Sequence, residues 1–124
     1  MNRILPVILA TLWAGAAQAA ENCTTASAAE AKRPPIQWQA DGLAVAAPNG
    51  RLVLWPMRPG MKLNREIETE ISFADRSSCV TRLPPGTERG ASIPVGQKSI
   101  KAIDAAICHD DDGLCVPIHI ELRP

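Results

Sequence analysis

The feature that most constrains this chain is an alternation of apolar and polar side chains that recurs from residue 36 to residue 122. The clearest example is LNREIETEISF (63–73), whose apolar face holds Leu63, Ile67, Ile71 and Phe73. Its other face is acidic or polar, with Asn64, Glu66, Glu68, Glu70 and Ser72. A period of two places alternate side chains on opposite faces of a β-strand. The sequence therefore predicts an all-β domain in which 63–73 is one strand with a solvated face.

Turn signals divide the alternating region into short strands. Asp41-Gly42 separates IQWQA from LAVAA, and PNG (48–50) precedes RLVLW; Asx-Gly pairs favour tight hairpins because both residues tolerate positive φ. A short strand is predicted around 80–83, then a loop rich in proline and glycine, then a hairpin of SIKAIDAAIC and CVPIHIEL. About six to eight short strands without an amphipathic helix predict an immunoglobulin-like β-sandwich over residues 36–124.

Residues 1–20 are predicted to be a signal peptide. Arg3 supplies a positive charge, 4–17 is almost wholly apolar, and Ala17-Gln18-Ala19 is a small-x-small cleavage site. The apolar run is too short to span a bilayer comfortably, so we expect export to the periplasm without membrane insertion. Residues 21–35 are expected to form an irregular N-terminal arm held at Cys23.

Size and charge exclude several classes of function. About 105 residues follow the predicted leader, enough for one small domain. The formal net charge is +0, which argues against nucleic acid or an anionic membrane surface as a partner. Hydrolytic catalysis has little support, because there is no G-x-S-x-G motif and there are only two histidines.

Four cysteines follow the predicted leader, at positions 23, 79, 108 and 115. An even number in a small exported domain favours disulfides, and three pairings are open from the sequence. Between the last two cysteines, residues 110–112 are all aspartate. We interpret them as a solvated turn in which Gly113 adopts a positive φ.

The final hairpin is predicted to turn both of its cysteines away from the core. Its core faces would hold Ile103, Ala105 and Ile107 in the first strand and Val116, Ile118, Ile120 and Leu122 in the second. Opposed Cβ atoms lie about 4.5–5.5 Å apart, and a disulfide needs about 3.5–4.5 Å. A Cys108–Cys115 bond is thus expected to be feasible, strained and exposed, and strain and exposure raise a reduction potential. Its short loop would stabilise the fold by about 2–3 kcal/mol, against about 4 kcal/mol for Cys23–Cys79. A structural role is therefore predicted for Cys23–Cys79, and Cys108–Cys115 is left for exchange chemistry.

Three stretches of the chain fall in the order that they have in a known family. They are RLVLWPMRPGMKLNREIETEI (51–71), LPPG (83–86) and CHDDDGLCVP (108–117). Together they resemble the N-terminal periplasmic domain of the thiol:disulfide interchange protein DsbD, over roughly residues 40–122. The resemblance implies a sandwich whose hairpin cysteines accept electrons from a thioredoxin-like domain and pass them to periplasmic oxidoreductases. It implies that Cys108 and Cys115 are the redox pair and that Cys108 forms the mixed disulfide. No cofactor is expected.

Two other functions stay open from the sequence. A copper-binding protein is one, since soft or imidazole ligands occur at Met57, Met61, Cys108, His109, Cys115 and His119. The C-x6-C spacing, however, is wider than usual for zinc. The other is a redox-silent binding or assembly module with two structural disulfides. Its acidic face, formed by Glu66, Glu68 and Glu70, would then be either a solvated sheet face, which we expect, or a docking surface for a basic protein.

Overall fold

The computed structural model describes residues 20–123, so nearly all of the predicted signal peptide lies outside the described residues. Two β-sheets pack face to face, and the described part of the chain contains no helix. The predicted all-β, immunoglobulin-like sandwich is confirmed. A membrane-spanning helix is accordingly not found within residues 20–123.

Sheet A carries the final hairpin. Its strands are β1 (Glu21–Asn22), β6 (Met61–Leu63), β7 (Thr69–Phe73), β8 (Ser78–Thr81), β10 (Ile100–His109) and β11 (Cys115–Glu121). They lie in the order β1-β8-β7-β10-β11, and β6 pairs with the C-terminal end of β10. The long strand β10 therefore contacts β11 along one side, and β7 and then β6 along the other.

Sheet B covers the other side of the core. Its strands are β2 (Ser27–Ala28), β3 (Trp38–Ala40), β4 (Leu43–Ala46), β5 (Arg51–Pro56) and β9 (Ala91–Pro94). They lie in the order β2-β9-β5-β4-β3, and every neighbouring pair is antiparallel. Aliphatic side chains of both sheets fill the space between them, including Leu43, Leu52, Leu54, Leu63, Ile71, Ile93, Ile103 and Ile107, all less than 2% exposed. Burial of these side chains is the main stabilising contribution to the fold.

The two predicted Asx-Gly turns are present. Asp41 and Gly42 have φ values of 50° and 90°, and Asn49 and Gly50 have values of 49° and 77°. Residues at positive φ give hairpins a twist that matches the strands, which explains the Asx-Gly choice. At Gly42 an added Cβ would lie 2.6 Å from Cε of Met61, so the turn also packs closely against the start of β6.

The prediction of one continuous strand over 63–73 is wrong in its middle. Strand β6 ends at Leu63 and β7 begins at Thr69, with a loop between them. Ile67, predicted to lie in the core, is 50% exposed. The physical reason is Asn64, whose side-chain oxygen accepts hydrogen bonds from the backbone N–H groups two and three residues later. Such a local bond competes with the strand ladder and favours a turn.

This break also divides the predicted acidic face. Glu66 and Glu68 belong to the loop and are exposed, and Glu70 alone of the three lies on a strand. The continuous acidic surface suggested for a binding module is therefore not formed by a single strand.

The N-terminal arm is more ordered than predicted. Its strands β1 and β2 add to the edges of both sheets, pairing with β8 and β9 respectively. Ala26 is 4% exposed, and Ala29 packs against an apolar cluster on the outer face of sheet B that includes Trp55. The arm therefore belongs to the sandwich and holds its two sheets together at one end.

Strand β9 lies within the segment predicted as a loop. Ala91 and Ile93 are fully buried because β9 is enclosed between β5 and β2. Strand β9 has only four residues, follows a glycine and ends with Pro94, so it is too short to show a clear alternation. It is therefore formed by its tertiary pairing rather than by local preference.

Candidate functional site

Both expected disulfides are present in the structure. Cys23 is bonded to Cys79 and Cys108 to Cys115, and no cysteine of the described chain is free. The first bond joins residues 56 apart in sequence, and the second joins residues only seven apart. The pairing left open by the cysteine count is thereby resolved.

The hairpin disulfide links two residues that are directly opposite in the β10–β11 register. The next pair along, His109 and Leu114, is joined by a backbone hydrogen bond of 2.8 Å. Because bonded and non-bonded pairs alternate in antiparallel sheets, Cys108 and Cys115 form a non-hydrogen-bonded pair, in which Cα atoms approach most closely. Their Cα separation is 3.9 Å, so each cysteine faces the other at the end of the ladder.

The predicted core face of the hairpin is largely confirmed. Ile103, Ala105 and Ile107 lie in the main core cluster, with Ile118, Ile120 and Leu122 opposite. Val116 is the exception and is 41% exposed, although its partner Ile107 is buried; Val116 lies on the edge strand β11 and Ile107 on the inner strand β10. Both cysteines therefore leave β10 and β11 on the face away from the core.

The two cysteines differ in their access to solvent. Cys108 is only 5% exposed, whereas Cys115 is exposed. The expected exposure of the pair is thus correct for Cys115 and wrong for Cys108. Cys108 lies on an inner strand between β6 and β11, and Cys115 begins an edge strand, which accounts for the difference.

A cleft of about 290 Å³ adjoins the disulfide and is lined by both cysteines. Its charged lining consists of two cations and two carboxylates, from Lys62, Arg65, Glu66 and Glu88. A larger cavity, of about 580 Å³, lies between the N-terminal arm and sheet B and is lined by neither cysteine. Of these two openings, the smaller one therefore adjoins the hairpin disulfide.

Asn64 is the residue of this cleft that sequence reasoning did not identify. Its Nδ2 atom lies 3.2 Å from Sγ of Cys108 and 3.2 Å from Sγ of Cys115. The contact depends on β6 pairing with the end of β10, which no local pattern reveals. The available signal was an asparagine within an apparent strand, since this residue is depleted in strands and enriched in turns.

The acidic turn between the cysteines has a structural explanation. Asp110 forms an ion pair of 3.1 Å with Arg89, and the Asp112 side chain accepts a hydrogen bond from the backbone N–H of Leu114. Gly113 has a φ of 71°, as predicted. The three aspartates therefore shape and solvate the turn, as the sequence suggested.

Arg89 and Glu88 join the loops around the cleft. The Arg89 guanidinium also donates to the carbonyl oxygens of Pro59 and Met61, so one side chain fixes the start of β6 to the hairpin turn. Backbone N–H groups of Glu88 itself and of Gly86 hold the pKa of the Glu88 carboxyl below its ordinary value. Ionised Glu88 thus stabilises the turn that precedes Arg89.

The copper hypothesis receives no support from the positions of its ligands. Both hairpin cysteines are in a disulfide, and His119 hydrogen-bonds through Nδ1 to Asp104 at 2.7 Å. Met61 is buried in the core. Within residues 20–123 no group of three or more histidine, cysteine or acidic side chains is arranged to hold a metal ion.

Comparison with known proteins adds no relative. No protein-family model, no curated protein and no solved structure matches this chain. The resemblance to the N-terminal domain of DsbD therefore rests on the residues quoted from the sequence.

Proposed function

We propose that this chain is a periplasmic thiol–disulfide exchange module, which passes electrons to or from a partner protein through Cys108 and Cys115. The observation that carries the proposal is the unequal exposure of the pair: Cys115 is open to solvent beside a cleft, and Cys108 is buried behind it. Because one cysteine is exposed and the other is buried, a partner thiolate is expected to attack at Cys115. Two disulfides in one small domain are also typical of an oxidising compartment.

The reaction transfers two electrons through a mixed disulfide. A partner thiolate attacks Sγ of Cys115, the Cys108–Cys115 bond breaks, and its electron pair leaves on Sγ of Cys108, which then takes up a proton. A second thiol of the partner attacks the partner's own sulfur in the mixed disulfide and releases Cys115. The partner is oxidised to a disulfide, and this chain is reduced to a dithiol. The exposure of Cys115 favours it as the mixed-disulfide cysteine, in place of Cys108 as the resemblance implied.

The surroundings of Cys115 favour a protein as the partner. Leu114 and Val116, on either side of it, are 64% and 41% exposed, and Ile67 of the loop after β6 is 50% exposed. Exposed apolar side chains at the same end of the hairpin as a reactive cysteine favour a contact with another protein. A thioredoxin-like or other periplasmic redox protein fits these requirements.

Acid trapping of the reaction with glutathione tests the proposal. Oxidised protein is mixed with reduced glutathione, quenched with acid, alkylated and analysed by mass spectrometry. We expect a glutathione adduct on Cys115 and an alkylated Cys108 thiol. The matched control is the C108A/C115A variant, which retains Cys23–Cys79 and is expected to form no adduct. If the wild-type hairpin forms neither adduct nor free thiol, the module is redox-silent and the proposal is wrong.

A further inference from the structure

The amide group of Asn64 is held against the hairpin disulfide by the fold. Its backbone N–H donates to the carbonyl of Ala106 at 2.9 Å, which fixes the residue beside β10 just after β6 ends. From there Nδ2 reaches both sulfurs, at 3.2 Å each. The contact is therefore made by a residue anchored to the same strand that carries Cys108.

The orientation of this amide is determined by its other contacts. Oδ1 accepts hydrogen bonds from the backbone N–H groups of Glu66 at 2.6 Å and Ile67 at 2.9 Å. Only an oxygen can accept from two donors, so the oxygen must face the loop and the NH₂ group must face the sulfurs. The two N–H bonds of Nδ2 suffice for one contact to each sulfur.

The strength of this contact changes when the disulfide opens. A disulfide sulfur is a weak hydrogen-bond acceptor, whereas a thiolate is a charged and much stronger one. A donor fixed at this distance therefore stabilises the thiolate more than the disulfide. Such a donor matters most at Cys108, because a buried thiolate is poorly solvated by water.

We propose that the Asn64 amide stabilises the thiolate that Cys108 becomes when the hairpin disulfide is attacked, and thereby makes this disulfide easier to reduce. The proposal rests on the exchange function proposed above and adds a residue to its machinery. The breaking bond leaves its electron pair on Cys108 Sγ, and the amide N–H donates to that sulfur without giving up its proton. Asn64 thus acts on the leaving sulfur, while attack takes place on Cys115.

Two substitutions separate this role from a purely structural one. Asn64→Asp keeps a side-chain oxygen for the Glu66 and Ile67 N–H groups but replaces the donor with a carboxylate oxygen. Asn64→Ala removes both the donor and the loop acceptor without adding charge. If Asn64 only shapes the loop, Asn64→Asp should behave like the wild type and Asn64→Ala should not.

The measurement is the equilibrium of the hairpin disulfide with a glutathione series, read by thiol trapping, together with the thiol pKa of the reduced protein from thiolate absorbance. We expect both variants to resist reduction at least about tenfold more than the wild type and to have a raised pKa of the hairpin thiol, because a hydrogen bond to a charged group is lost. Cys23–Cys79 in the same molecules should be unchanged, and circular dichroism should show a native sandwich.

Each other outcome overturns the proposal. If the reduction equilibrium of the hairpin disulfide changes in Asn64→Ala alone, Asn64 only shapes the loop. If it changes in Asn64→Asp alone, the effect is that of the added charge. If it changes in neither variant, the contact between Asn64 and the sulfurs has no effect on reduction. Failure of the exchange function has a different result, namely that wild-type Cys108–Cys115 is not reduced by glutathione at all. A dithiothreitol series would then still measure the difference between the variants.

Discussion

The two disulfides of this small domain differ in which parts of the chain they connect. Cys23–Cys79 connects the N-terminal arm to β8, and Cys79 is part of the main core cluster. Cys108–Cys115 connects two strands that are already paired, at the end of a hairpin and on the face away from the core. Both bonds therefore reinforce paired strands, but β1 and β8 pair at only two positions, whereas β10 and β11 pair at seven, so the hairpin bond adds less to what the sheet already supplies.

The two disulfides also differ in how much stability the fold is expected to lose when each one opens. A disulfide that closes a long loop removes much conformational entropy from the unfolded chain, so opening it costs much stability. A disulfide across a tight hairpin removes less, and the seven β10–β11 pairs are expected to hold the strands together when it opens. The second kind can be broken and reformed in a folded protein, which is the requirement for exchange.

Deleting each disulfide is expected to produce the largest difference between the two regions. On the chain-entropy relation, C23A/C79A should lower the free energy of unfolding by about 4 kcal/mol, and C108A/C115A by about 2–3 kcal/mol. Urea denaturation of the two double variants under oxidising conditions measures both values. A hairpin deletion that costs as much as the arm deletion would contradict the division of roles.

Removing the Arg89 side chain, which supports the hairpin, should lower the free energy of unfolding by less than deleting either disulfide. Arg89→Ala removes hydrogen bonds to Pro59 and Met61 and the ion pair with Asp110. Because these contacts are partly exposed, we expect a loss of about 1–2 kcal/mol in the free energy of unfolding, with faster reduction of Cys108–Cys115 and no change at Cys23–Cys79. Thiol trapping over time after addition of dithiothreitol follows both bonds.

A second surface arginine provides the control for this prediction. Arg123→Ala also removes an ion pair, with Glu121, but the Arg123 side chain is 83% exposed, and the residue follows the end of β11 that is opposite to the disulfide. This variant should have the same free energy of unfolding as the wild type, and both of its disulfides should be reduced at the wild-type rate. Equal acceleration by both variants would show that Arg89 does not support the hairpin specifically.

The smallest expected effect is a pH dependence at the turn before Arg89. The pKa of Glu88 is lowered from its ordinary value of 4.5, so its ionised form contributes stability above about pH 4.5, and this contribution is lost as the pH falls through the folded-state pKa. Glu88→Gln should melt at a slightly lower temperature than the wild type at neutral pH, and the difference should shrink below about pH 4.5. A difference that is constant from pH 7 to below the pKa would contradict the assignment.

The sequence predicted the fold and the hairpin better than the residues around the disulfide. Alternation defines a strand locally, so Ile118 and Ile120 could be assigned to the core, and the Cys108–Cys115 pairing was a feasible consequence of the hairpin. The burial of Cys108 and the contact of Asn64 depend on β6 pairing with β10, which is a tertiary event. The sequence also failed to predict the exposure of Ile67. The alternating pattern continues through residues 64–68, but the Asn64 side chain accepts a hydrogen bond from the Ile67 N–H and forms a loop there.

The central claim is that Cys108–Cys115 is labile and Cys23–Cys79 is structural, and the reduction potential of each bond tests it most directly. Thiol-trapping mass spectrometry across a glutathione and dithiothreitol series gives both potentials from one sample. The account predicts a hairpin potential well above about −300 mV and a Cys23–Cys79 potential below it. Two potentials equally far below that value would contradict the account and leave both bonds as structural crosslinks.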